Sequence, residues 1–303
     1  MSGTLLVTGA GGFLAGYTAR AFADAGWTCI GVGRSDPNRQ ASLYRAFHLH
    51  DLSSADRVAT LVERYRPSAI VHFAAPSSVP ASVARPLGDL QEHITPTGNL
   101  LEGARLTGAK PRFLLLSSAA VYGNPAALPV SEDAPLAPVS PYGFHKVMQE
   151  TLADEYHQVF GIPVAKARVF STFGEGLRKL AVWEIARRAL GGDVAVHGTG
   201  DEVRDYLYAG DVARALLAII TGGAFAGEAV NVASGRGTSV RELAQTIFDE
   251  LGIAGPPQFD GLAPRGNPTA WIANVDRLAA LGFAPTERLD AALRRTVRWI
   301  QTS

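Results

Sequence analysis

Cysteine occurs once in the 303 residues and methionine twice. The single thiol, Cys29, precludes an intrachain disulfide, and its place in an apolar run predicts a buried side chain. No sign of charge is in excess: 28 Lys and Arg balance 28 Asp and Glu. A chain without net charge offers no broad field for nucleic acid or an anionic membrane surface. No apolar stretch is long enough to span a bilayer. The first 19 residues carry no charged side chain, yet they lack a basic leader segment and are interrupted by five glycines. They read as a strand and turn, not as a signal peptide. No H-x-x-x-H, C-x-x-C or clustered carboxylates suggest a metal, so none is expected. The seven histidines are scattered and read as structural or surface residues. Arg294, Arg295 and Arg298 read as a solvated helix face. The absences leave a soluble, cytoplasmic protein as the expectation.

What the chain does have is alternation. Short β-type runs, clearest at 69–73, 112–116 and 163–169, alternate with helical patterns near 86–107 and 142–160. This predicts an α/β fold, a Rossmann-like doubly wound parallel sheet whose ligands bind beyond the C-terminal strand ends. After about Ser171 glycine and proline become more frequent, as expected of a smaller C-terminal lobe.

The apolar run Thr4 to Thr8 leads into Gly9-Ala-Gly-Gly12-Phe-Leu-Ala15-Gly16, followed by a helical pattern. Strand, glycine-rich turn and helix together imply dinucleotide binding. Gly9 permits the tight turn. Gly12 lets the backbone approach a pyrophosphate at the positive helix N-terminus, and Ala15 takes the close-packing position. Phe13 and Leu14 open that helix beside the cofactor. The second strand ends in Gly33-Arg34, where an NAD enzyme usually has an acid for the ribose 2′-hydroxyl. A guanidinium there suits a 2′-phosphate, so NADP(H) is favoured and NAD(H) is the alternative; Arg34 also reads as an ordinary loop arginine. Asp51 and Leu52 end a third strand toward the adenine. Ala74 and Ala75 end a fourth with side chains small enough to leave room for the cofactor.

Tyr142-Gly-Phe-His-Lys146 places a phenol and an ammonium one helical turn apart. A neighbouring positive charge lowers a phenol's pKa and suits it to proton transfer with an alcohol or ketone.

With Thr8–Gly16, His72–Ala75, Ser117–Gly123, Ser140–Lys146, Arg168–Gly174, Gly198–Tyr206 and Asp211-Val-Ala, the chain resembles the extended short-chain dehydrogenase/reductase superfamily, in its nucleotide-sugar epimerase/dehydratase/reductase group. Within that group it looks most similar to reductases of nucleoside-diphosphate 4-keto-6-deoxysugars. The resemblance implies Ser118, Tyr142 and Lys146 as catalytic residues, with Lys146 also on the nicotinamide ribose. Dehydrating members carry Asp-Glu directly after the Ser; Ala119 and Ala120 stand here and have no proton to exchange. His93 replaces an Asn of the group and reads as a helix-packing residue, and Ser171 replaces another. A nucleotide-sugar diphosphate needs cations. Arg204 and Arg265 match the group's phosphate arginines, with Arg178 as a further candidate and Ser77 and Ser171 beside the sugar; each arginine also reads as a surface ion-pair partner. The implied division is a cofactor domain over 1–170 and parts of 207–235, and a nucleotide-sugar lobe over 171–206 and 236–303. A homodimer is expected. The function implied is an NADP(H)-dependent 4-keto reductase. The alternatives are a nucleotide-sugar 4-epimerase with bound NAD(P), and a non-catalytic NADP-binding protein.

Overall fold

The computed structural model describes residues 2–34, 38–50, 52–262 and 269–303. Asp51 and Arg265, both predicted site residues, lie outside the described residues. The chain runs β1 (Thr4–Thr8), α1 (Phe13–Asp24), β2 (Thr28–Gly33), β3 (Ala46–Leu49), α2 (Ala55–Tyr65), β4 (Ala69–His72), α3 (Val79–Ala84), α4 (Pro86–Leu106), β5 (Arg112–Ser118), α5 (Pro141–Phe160) and β6 (Val164–Val169). It continues through β7 (Ser171–Phe173), α6 (Leu180–Leu190), β8 (Ala195–Val196), β9 (Val203–Tyr208), α7 (Ala209–Gly222), β10 (Ala226–Val232), β11 (Gly237–Ser239), α8 (Val240–Leu251), β12 (Gln258–Phe259), α9 (Asp276–Ala280) and α10 (Leu289–Gln301).

Seven parallel strands form the central sheet in the order β10-β6-β5-β4-β1-β2-β3. The predicted Rossmann-like doubly wound fold is therefore present. From β1 the chain winds outward through β2 and β3, then returns past β1 and winds the other way through β4, β5 and β6. The reversal leaves a crevice between the C-terminal ends of β1 and β4, where ligands bind in sheets of this kind.

Side-chain alternation feeds both faces of the sheet. Leu5 and Val7 of β1 join a core with Phe22 of α1 and Leu216 and Ile219 of α7. Leu6, between them, joins the opposite core with Val58 of α2, Leu100 and Leu101 of α4, and Phe113 and Leu115 of β5. A separate core gathers Phe173, Ile185, Leu243, Ile247, Phe248, Leu293 and Val297 from the strands and helices of the smaller C-terminal lobe. Asp205 of β9 ties loops together: its carboxylate accepts from the backbone N–H groups of Ser234, Gly235 and Ala273. The third strand ends earlier than its sequence suggests, at Leu49, because Leu52 takes a left-handed φ of 57° and turns the chain. Among the described residues, no helix is long and apolar enough to cross a membrane.

Candidate active site

Gly9 follows β1 with a φ of 63°, a region open to glycine at little cost. A Cβ added there would lie 2.9 Å from the Ala74 nitrogen and 2.9 Å from the Phe73 carbonyl carbon. The turn after β1 is thus pressed against the chain leaving β4, at the crevice. Gly12 caps α1 without a side chain and donates its N–H to the Gly9 carbonyl at 2.8 Å. Gly11 and Gly12 are exposed, Phe13 and Leu14 are half-buried, and Ala15 is fully buried. Gly11 and Gly12 put no side chain at the N-terminus of α1, and the first N–H groups of a helix have no intrahelical acceptor. A dinucleotide pyrophosphate fits there. On the same rim, Asn99 of α4 donates to the Leu52 carbonyl at 2.7 Å and fixes the loop after β3. Ala74 and Ala75 are half-buried beside it.

The second half of the site is set by local sequence. Ser140 caps α5 by accepting from the Gly143 N–H, with Pro141 at the first helical position. Ser-Pro-Tyr therefore starts the helix and puts Tyr142 in its first turn, with Lys146 one turn on. Ser82 of α3 accepts from the Tyr142 N–H at 3.1 Å. Across from it, Ser118 ends β5. Its hydroxyl oxygen accepts from the Ala120 N–H at 3.2 Å, and the hydroxyl stands close enough to the Tyr142 phenol to favour its ionised form. Ser118, Tyr142 and Lys146 are thus brought together, at the rim that carries Ala74 and Ala75.

The electrostatics differ from the sequence expectation. Burial pushes the Tyr142 phenol up to about 12; the Ser118 hydroxyl draws it down and Asp89 adds to the rise. The Lys146 ammonium stands over the ring but is engaged by other partners, and it does not offset the burial. Its Nζ donates to the Leu116 carbonyl at 2.9 Å and to Gln149 Oε1 at 3.0 Å, and lies 5.9 Å from the Tyr142 ring centroid. Burial brings Lys146 itself down to about 8, against the opposing pull of Glu150 and Asp89. A buried polar chain continues behind it. Gln149 Nε2 donates to Thr97 Oγ1 at 2.7 Å, and Thr97 meets His72 Nε2 at 3.0 Å. His72 Nδ1 meets Thr8 Oγ1 at 2.7 Å, which closes the chain back to the strand that carries the glycine turn. His72 is held neutral by burial, with Lys146 and His93 adding to the effect.

Sequence reasoning passed over two features. Asp89 of α4 is buried with His145 and His93: His145 Nδ1 lies 2.5 Å from Asp89 Oδ2, and His93 Nδ1 donates to the Asp89 carbonyl at 2.7 Å. The D-x-x-x-H spacing was legible, but the approach of His145 from another helix was not. The three residues have the donor types of a metal site. The 2.5 Å contact is that of a direct hydrogen bond, too short for two ligands sharing an ion at about 2.0–2.2 Å from each. Trp271 donates its indole N–H to the Gly123 carbonyl at 2.9 Å and stacks under Arg204, whose Cζ is 5.4 Å from the ring centroid. Ser77, expected beside the sugar, accepts from Lys179 at 2.7 Å, which joins the start of α6 to the loop after β4.

Other predicted residues sit elsewhere. Arg178 is exposed and lies 5.8 Å from the ring centroids of both Trp183 and Trp299. Ser171 begins β7 and is half-buried, and Arg204 lies on the adjacent β9. Arg34 is 71% exposed and pairs with Glu92 at 3.3 Å.

A glycine-rich turn at the switch point of a parallel sheet, with Ser, Tyr and Lys meeting nearby, defines a dinucleotide-dependent enzyme. The chain belongs to the NAD dependent epimerase/dehydratase family, whose model matches residues 5–233. It is 32% identical to the UDP-glucose 4-epimerase of Azospirillum brasilense, covering 97% of this chain and 91% of that one. Among solved structures, it superposes with a TM-score of 0.89 on the UDP-glucose 4-epimerase of Thermotoga maritima with UDP-glucose, at 26% identity over 99% of each chain. The Thermus thermophilus UDP-glucose 4-epimerase complexed with NAD gives 0.88, at 27% identity over 99% of each chain. The chain is thus an enzyme of the nucleotide-sugar group. The expected 4-keto reductase is overturned: the relatives just named are UDP-glucose 4-epimerases, and the alternative reading agrees with them better. The triad serves both reactions, so the choice had rested on Arg34, whose guanidinium is engaged by Glu92.

Proposed function

We propose that this enzyme is a nucleotide-sugar 4-epimerase that inverts C4 of a UDP-hexose such as UDP-glucose and uses NAD(H). The observation that carries this is the meeting of Ser118, Tyr142 and Lys146 near the Gly9 turn, in a chain matching a UDP-glucose 4-epimerase along 97% of its length. When bound, the dinucleotide supplies the acceptor and donor of hydride for C4. The chain's own residues handle the proton. Tyr142 takes it from the C4 hydroxyl and returns it to the same oxygen once the sugar presents its other face. Ser118 donates a hydrogen bond to the reacting oxygen and stabilises charge there. Lys146 holds the cofactor ribose with a donor not spent on Leu116 or Gln149. Ala119 and Ala120, both buried, supply no acid or base for removing water. Arg204, supported by Trp271, meets the diphosphate.

NAD(H) is placed ahead of NADP(H) because the Glu92 carboxylate, already paired with Arg34, would oppose a 2′-phosphate. Replacing Glu92 with Gln should tighten NADPH binding about tenfold and leave NADH unchanged, as measured by fluorescence titration. The assembly proposed is a homodimer that buries the faces of α4 and α5, where Leu87, Phe144 and Met148 are exposed. Cytoplasmic placement goes with this reading, since the single buried thiol needs no oxidising compartment.

The test is incubation with UDP-glucose and catalytic NAD, with the products separated by chromatography. UDP-galactose should form without net consumption of NADH. Stoichiometric oxidation of NADH or NADPH by a 4-keto sugar, with no epimer formed, would reject the proposal.

A further inference from the structure

Glu175 stands in the loop between β7 and α6, with a glycine on either side. Gly176 takes a φ of 99°, and a Cβ added there would lie 3.6 Å from Cδ2 of Phe13, the first residue of α1. A Cβ on Gly174 would lie 3.2 Å from Tyr208 Cε2 and 3.3 Å from Tyr17 Oη. The loop is therefore pressed against the turn of α1 that follows Gly12. Two glycines leave its backbone free to take other paths, so side chains must fix it. The Tyr17 phenol, one turn on from Phe13, donates to the Glu175 carbonyl at 3.0 Å and lies 3.2 Å from Glu175 Oε2. Tyr208, the last residue of β9, donates to the same Oε2 at 2.9 Å. Arg295 of α10 donates from Nε to Oε1 at 2.7 Å and stacks on the Tyr208 ring, with Cζ 4.6 Å from its centroid. Arg295 reads from the sequence as part of a solvated face; in the fold its guanidinium is spent on Glu175 and Glu287. The rings of Phe13, Tyr17 and Tyr208 continue the contact edge to face, with centroids 5.3 and 5.8 Å apart. Burial raises the Tyr17 phenol, with Tyr208 and Glu175 adding to the rise, so it remains a donor.

We propose that Glu175 is a positioning residue for the cofactor: its carboxylate gathers donors from α1, β9 and α10 and straps the loop against Phe13, so that a dinucleotide at the N-terminus of α1 leaves slowly. This rests on the reading above that a dinucleotide binds at that turn. The carboxylate acts through Phe13 and Tyr17 and touches no reacting atom. One acceptor serves donors from three elements far apart in sequence, so its charge is what they share. Freeing the loop also frees the first turn of α1, and a helix start with bare N–H groups holds a pyrophosphate only while those groups stay aligned. Such a strap suits an enzyme that must keep its cofactor through a whole turnover.

The experiment follows release of the cofactor and needs no turnover. Protein loaded with NADH is mixed with excess NAD, and the fall in bound-NADH fluorescence gives the dissociation rate. Mixing free protein with NADH gives the association rate. Glu175→Gln keeps the shape, removes the charge and presents an amide N–H where donors point. It should release NADH about tenfold faster. Association should stay within about twofold of the unmodified protein. Tyr17→Phe should speed release by a smaller factor. Arg295→Met should speed it more than Arg295→Lys, which keeps a charged donor. Unchanged release in Glu175→Gln overturns the proposal; with a lowered urea midpoint of the cofactor-free protein, it marks the carboxylate as a structural tie alone. Faster release matched by equally slowed association overturns it too, since that reports a deformed turn and not a lost strap. If Glu175→Gln does not fold, Tyr17→Phe, which removes one hydroxyl, decides alone. An unmodified protein that binds neither NADH nor NADPH overturns both this proposal and the cofactor reading. The expected release rates in a protein that does not epimerise UDP-hexoses would leave the role of Glu175 standing and remove the epimerase reading.

Discussion

Replacing Lys146 with Met should change how stability responds to alkaline pH. In the unfolded chain this lysine titrates at its ordinary 10.5, and in the folded chain burial brings it to about 8. Between those values the unfolded chain binds more protons, so the stability of the unmodified protein rises with pH. Below about 8 both states carry the ammonium, and the folded state bears the full cost of burying it. Above 10.5 both are neutral and that cost is gone. At about 1.4 kcal/mol for each pH unit, the interval from 10.5 down to about 8 amounts to about 3 kcal/mol. Met has no such titration. The stability of the unmodified protein minus that of Lys146→Met should therefore move by about 3 kcal/mol in favour of the unmodified protein between pH 7 and 10.5. The hydrogen bonds from Nζ to Leu116 and Gln149 are lost in the variant at every pH, so they displace the difference without giving it this slope. The assay is urea unfolding of cofactor-free protein at stepped pH, followed by tryptophan fluorescence. Parallel stability curves for the two proteins would refute the buried, low-pKa lysine.

Tyr142→Phe removes one hydroxyl, and UDP-hexose epimerisation should fall by about two to four orders of magnitude while calorimetry shows NAD binding retained. Glu150→Ala strands a buried guanidinium: Arg168, 6% exposed, now forms a forked pair with Glu150 at 2.8 and 3.0 Å. Denaturant midpoints should report a loss of about 3–5 kcal/mol. Gly9→Ala puts a methyl 2.9 Å from the chain leaving β4, at a φ of 63°. It should cost at least about 1 kcal/mol in thermal unfolding and weaken NAD binding by calorimetry.

The turn after β1 was legible because glycine spacing reports backbone geometry directly. Gly9 needs a left-handed φ and a close neighbour, and both requirements leave a mark on the residue type itself. The Ser140-Pro-Tyr142 start of α5 was legible for a similar reason, since cap and first-turn preferences are local. Tyr142's proton affinity was not. From sequence, Lys146 stands one turn away and should lower the phenol. In the fold its ammonium turns toward Leu116 and Gln149, and burial acts in the opposite sense. The direction of a long side chain and the dielectric around a ring are set by elements far apart in sequence. The same limit hid Asp89, which needs α4 and α5 side by side before His145 can reach it. Arg34 was read from its strand end alone, while its partner Glu92 lies 58 residues on.

The error about the reaction has a physical cause of its own. A keto reductase and a 4-epimerase ask the same thing of Ser118 and Tyr142: a proton given to, or taken from, one oxygen on C4. They part company in what the protein does between two such events. A reductase must release its oxidised cofactor, whereas an epimerase must keep it and let the sugar turn. Neither demand writes itself into the triad. On the proposed reading, retention would come from the sum of contacts along the dinucleotide, with the N-terminus of α1 and the Leu52 carbonyl region held by Asn99 as candidates. Turning depends on holding the sugar by its diphosphate, far from C4, so that the ring is free to present either face. On the reading proposed above, Arg204 seated on Trp271, itself tied to Gly123, is the candidate for that anchor. On the proposed reading, an anchor at the phosphate and a proton carrier at C4, with no acid or base at Ala119 and Ala120 to draw off water, would leave inversion at C4 as the chemistry of these residues.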